Sequence, residues 1–203
     1  MKQLIVVLLG AWVSVAAYAE SQDVLSVADI VALTKYEQVG VDKERVLRGM
    51  SIAKRVPIGW VDDYSQRYIR TITDDQGVAR HQVLLEMRYM GGWRFYRAAS
   101  LGGQALPFNT EERRFSRCSS TYLECVQQEI VTAELSRQQL DDAMASGLAV
   151  RFEAKKPGRD TVAVFPAAYV MAYLIKLDGG QLPPSERLND KVAKPESLVM
   201  AAQ

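Results

Sequence analysis

The sequence predicts an α+β protein: an antiparallel sheet of about six or seven strands, two or three helices packed on one face, and a cleaved N-terminal signal peptide. Three observations carry that prediction. Between residues 66 and 135, β-branched and aromatic residues alternate with polar ones in runs separated by Gly and Asp turns. Elsewhere, apolar residues recur at helical spacing. The first nineteen residues have the order of an export signal.

That leader runs from Lys2 through the apolar stretch Leu4 to Val13 and closes on Ala17-Tyr18-Ala19, which places cleavage between Ala19 and Glu20. The apolar run falls short of the roughly 20 residues a membrane helix needs, and no later stretch reaches that length. No Cys lies near the cleavage point and no Arg pair precedes the apolar run. The mature chain is therefore expected in the periplasm or the medium, without a transmembrane segment. Residues 20–180 are expected to form a single domain and residues 181–203 a loose tail, because Pro183, Pro184 and Pro195 interrupt any periodicity there.

Lys2 is the only charge the cleavage removes, so the mature chain balances its basic and acidic side chains. That speaks against nucleic acid as a partner, since such binders carry a basic excess on one face. Residues 67–117 are locally basic, with nine basic groups that are all Arg against five acids. Guanidinium groups bind carboxylates and phosphates in a fork that Lys cannot match. The two cysteines, Cys118 and Cys125, lie close together in the exported part and read as a disulfide staple around a hairpin crossing.

Residues 20–60 read as a mainly helical lead-in. Ser26 caps, Asp29 sits three residues on, Val27, Ile30 and Val31 share a face, and Gly40 ends the element. A weaker helical period (Val46, Met50) continues to the break at Pro57-Ile58-Gly59. Strands follow at 68–73 and 79–90, joined by the turn Asp74 to Gly77. Gly91-Gly92 reads as a two-residue hairpin turn, pairing Arg88 with Phe95, Glu86 with Arg97 and Met87 with Tyr96. Val83, Leu85, Met87, Tyr89 and Tyr96 would then face the core. After Gly102-Gly103 a loop leads to Arg114 and Cys118, with a return strand from Tyr122 towards Leu135. A helix over 137–146, strands at 148–154 and 161–165, and a helix after Pro166 complete the domain.

Catalytic signals are poor. His81 is the only histidine, which removes His-rich metal sites, and no cofactor is expected. No Ser sits in a G-x-S-x-G elbow. Thr71 or Ser100 could neighbour His81 across strands. The pairs Asp62-Asp63, Asp74-Asp75 and Asp141-Asp142 point their side chains apart on regular elements. What is left is the outer face of the 79–101 hairpin, where Arg80, Arg88, Trp93, Phe95 and Arg97 combine aromatic area with forked donors, the residue types of recognition hot spots. The sequence thus points to a non-enzymatic binding or accessory protein of the bacterial envelope, its partner an envelope protein or a small anionic or aromatic ligand. An envelope hydrolase acting on wall or lipid material is the competing reading.

Overall fold

The computed structural model describes residues 25–39, 44–58, 61–118 and 125–180. The leader with its Ala19–Glu20 cleavage point, and the tail 181–203, lie outside the described residues. Among the described residues the architecture is α+β, with two antiparallel sheets of seven and four strands and three helices.

The chain opens with α1 (Val27–Leu33), started by the expected capping box: Ser26 Oγ accepts from the Asp29 amide while the Asp29 carboxylate accepts from the Ser26 amide. The helix ends at Thr34, not at Gly40, and the expected helical lead-in gives way to three strands. These are β1 (Lys35–Val39), β2 (Glu44–Arg48) and β3 (Ile52–Ile58). Sheet pairing overrides local period here. Val46 and Leu47 point to opposite faces of β2 yet both are buried, which erases the alternation a strand normally shows.

The large sheet has the order β1-β2-β4-β5-β9-β8, where β4 is Val61–Thr73, β5 is Ala79–Tyr89, β8 is Phe108–Cys118 and β9 is Cys125–Leu135. β3 pairs with the first half of β4, whose second half pairs with β2. The β4–β5 turn forms as expected: the Asp74 carboxylate accepts from the amides of Gln76 and Val78.

The small sheet, β11-β10-β6-β7, was not expected. It comprises β6 (Tyr96–Leu101), β7 (Gln104–Leu106), β10 (Leu148–Ala154) and β11 (Thr161–Phe165). The expected Gly91-Gly92 hairpin does not form, because β5 pairs with β4 and β9 while β6 pairs with β10 and β7. A type I′ hairpin turn has positive φ at both central positions. At 91–92 only Gly91 has it, whereas Gly102 (57°) and Gly103 (85°) both do. The tight hairpin therefore sits at Leu101↔Gln104, in what reads from sequence as a loop.

Both sheets cover one core. Val83, Leu85, Met87 and Tyr89 on β5 point into it, as does Tyr96 from the small sheet. Each such side chain stabilises by about 2 kcal/mol. Phe108 and Phe152 meet edge-on at 6.5 Å across the sheets, and Arg67 Nε reaches the Val164 carbonyl of β11 at 2.8 Å. Next to the small sheet, α3 (Ala167–Leu177) packs on the same inner face and contacts α1 and α2 (Arg137–Ser146). Gly49 makes the approach possible: a Cβ there would lie 2.5 Å from the Tyr169 hydroxyl, which donates to the Met50 carbonyl at 2.7 Å. The helical and strand bounds over 137–165 match the sequence expectation.

Candidate functional site

The segment that should have been a hairpin turn is instead a corner passing from one sheet to the other, and a buried acid organises it. Glu129, on the inner face of β9, is fully buried. Its Oε1 accepts from the backbone amides of Arg94 (3.2 Å) and Phe95 (3.1 Å) and its Oε2 from that of Tyr96 (3.3 Å). The Tyr89 hydroxyl donates to the same carboxylate, and Arg113 Nε adds a charged donor at 2.9 Å. Burial first, and then the hydrogen bond to Glu129, push the Tyr89 phenol well above its ordinary range, so Tyr89 stays a donor. Three successive amides aimed at one acid make an anion-binding concavity, filled here by the protein's own side chain. Phe95 adopts φ 52°, the one positive value outside glycine among the described residues.

On that corner stands an aromatic group. Trp93 lies 6.1 Å from Phe95 and 5.3 Å from Phe115, ring centre to ring centre. Phe95 is 43% and Phe115 57% exposed, unusual for two large apolar rings that flank a third. The Arg113 guanidinium lies 5.4 Å from the Phe95 ring centre and donates to the Tyr96 carbonyl at 2.6 Å. Beside Phe95 a depression of about 360 Å³ is also lined by Arg97, Phe108, Thr110 and Lys155. At the end of the same β8–β9 hairpin, Cys118 and Cys125 face each other and are bonded, closing the loop the sequence predicts; its residues 119–124 lie outside the described residues.

Of the five residues expected to form one face, the structure brings together Trp93, Phe95 and Arg97. Arg80 lies at the far end of β5, about 30 Å along the strand from this corner. Arg88 faces away from Tyr89 and Glu129 and pairs with Glu86 at 2.6 Å. Glu86 does not oppose Arg97. It is enclosed on the outer face of the large sheet, where Gln128 donates to it at 2.8 Å and Gln66 also donates. Phe115, Arg113, Lys155 and Glu129 also stand at this corner and carry no local signal in the sequence, because the β8–β9 register brings the first two to Glu129 and the β6–β10 pairing brings Lys155 to the Arg94 and Phe95 carbonyls. The Arg-only excess of residues 67–117 was the available regional signal for Arg113.

His81 does meet Thr71, Nδ1 to Oγ1 at 2.8 Å, while Ser100 belongs to the other sheet. The Thr71 hydroxyl also bonds Tyr173 Oη at 2.7 Å, and Tyr173 Oη donates to the Leu47 carbonyl at 3.3 Å. Thr71 is 1% exposed, and the described depressions beside Phe95 and on the small sheet do not reach it. Burial, then the nearby Arg137 charge, lower the His81 pKa, which favours the neutral ring in this packed hydrogen-bonded chain. Among the described residues, no group of three or more His, Cys, Asp and Glu side chains is placed to hold a metal ion, and no helix is long and apolar enough to cross a membrane.

Compared with family models, curated proteins and solved structures, the chain matches none of them.

Proposed function

We propose that this is an exported, non-enzymatic binding or accessory protein of the bacterial envelope, and that its recognition surface is the Trp93–Phe95–Phe115 corner. The observation that carries the reading is the exposure of a clustered aromatic group on a backbone frame held by Glu129. A preorganised aromatic patch loses little conformational entropy on binding, and aromatics flanked by Arg dominate interface hot spots. Export is supported by the leader pattern, and the Cys118–Cys125 bond is compatible with an oxidising compartment. The competing hydrolase reading has its best geometry at Thr71 and His81, and enclosure of Thr71 leaves that pair serving packing.

Photo-crosslinking in intact cells tests the proposal. A photoreactive residue at position 115 should give a discrete adduct that weakens at least tenfold when Trp93→Ala is added. One at position 78, an exposed site in the β4–β5 turn region, should not. Equal adducts from both positions, or indifference to Trp93→Ala, would remove the corner from the account.

A further inference from the structure

We propose that the depression beside Phe95 binds a small organic oxyanion: an aromatic body carrying a phosphate or carboxylate group. The inference rests on the reading of this corner as a recognition surface and names what one part of it takes.

The argument is one of charge and shape. The volume, about 360 Å³, falls in the range of small-molecule pockets. Phe95 and Phe108 supply apolar wall, and the Thr110 hydroxyl a neutral donor. Three cations line it, and their situations differ. Arg113 is already balanced by Glu129 and fixed by its bond to the Tyr96 carbonyl, so it contributes a rigid, oriented edge. Arg97 and Lys155 are exposed, and among the described residues neither has an acid within ion-pair distance. The acid that senses Arg97, Asp160, is engaged by Arg151 at 2.7 Å and by the Ala154 amide at 2.9 Å. The backbone holds Lys155 in place, its amide donating to the Arg94 and Phe95 carbonyls at 3.0 and 3.1 Å. Two unbalanced positive groups thus stand beside aromatic walls. A guanidinium fork and an ammonium are the usual recognition groups for phosphate and carboxylate, and the walls add affinity only for a ligand with an apolar body.

The test is titration of the purified, processed protein with phenyl phosphate, read by amide shifts and calorimetry, with benzoate and inorganic phosphate as parallel arms. Phenyl phosphate should shift the Phe95, Arg97, Thr110 and Lys155 amides. The double variant Arg97→Gln/Lys155→Gln should weaken binding tenfold or more, and Arg80→Gln should leave it unchanged. Benzoate binding tighter than phenyl phosphate keeps the proposal and makes carboxylate the head group. Absence of shifts at those amides, equal binding by the double variant, or inorganic phosphate binding as tightly as its phenyl ester would overturn it. If phenyl phosphate fails while Trp93-dependent crosslinks from position 115 persist, the ligand assignment falls and the recognition reading stands.

Discussion

The Glu129 carboxylate lies 3.1 Å from the backbone nitrogen of Phe95, the residue whose φ of 52° turns the chain from the large sheet into the small one. Positive φ costs a non-glycine residue of order 1 kcal/mol, and the hydrogen bonds to Glu129 offset that cost. A single acid on β9 therefore fixes how the aromatic corner is presented.

Glu129→Gln places amide hydrogens where only acceptors fit and leaves Arg113 without its counter-charge. Arg113 is one-third exposed while Glu129 is fully buried, so weakening the pair together with the hydrogen bonds the acid accepts costs about 2 kcal/mol or more. Denaturant unfolding should show that loss, whereas Arg114→Gln, which removes an exposed pair with Glu112 and one hydrogen bond to Gln128, should cost only about 1 kcal/mol. A Glu129→Gln protein as stable as the parent would show that the acid is dispensable.

Gly49→Ala should destabilise by about 1–3 kcal/mol, because its Cβ would meet the Tyr169 hydroxyl at 2.5 Å and the Ile69 carbonyl at 3.0 Å. Removing the hydroxyl with Tyr169→Phe should recover part of that cost. Strict additivity of the two substitutions in melting experiments would show that the helix and strand do not meet there.

Stability should fall on the acid side of neutrality in a His81-dependent way. Burial and, after it, Arg137 lower the folded pKa of His81 below its unfolded value of about 6.5, against a smaller opposing pull from Asp141 and Asp178. The folded state therefore binds this proton less readily than the unfolded chain. The contribution is complete above about pH 6.5 and is lost as pH falls through the folded pKa. Between pH 7 and 5, His81→Gln should lose less unfolding free energy than the parent does. Identical slopes would contradict the assignment.

Reduction, or Cys118→Ser, should cost about 2–3 kcal/mol, since the bond closes a short loop at the end of the β8–β9 hairpin. Unfolding curves with and without reductant measure it directly. Coincident curves would mean the hairpin register alone sets this end of the sheet.

Local signals were legible where chemistry and period agree. Ser26 with Asp29 and Pro166 ahead of α3 mark helix starts that the structure reproduces. The β5 core side was equally readable, from Val83 to Tyr89. Pairing was not. Gly91-Gly92 and Gly102-Gly103 look alike in sequence, and what distinguishes them is long-range: Glu129, some 35 residues away, accepts from the 94–96 amides, and β6 pairs with β10 and β7. The same blindness misplaced Arg80 and Arg88 beside Trp93. Strand period shows which side of a strand a residue occupies and says nothing of which sheet the next strand joins.

Amide hydrogen exchange at Arg94, Phe95 and Tyr96 tests most directly that Glu129 holds this corner. The account predicts slow exchange at all three in the parent protein, and selective loss of that protection in Glu129→Gln while core amides such as Val83 and Val131 stay protected. Exchange at unprotected rates in the parent, or protection unchanged in the variant, would contradict it.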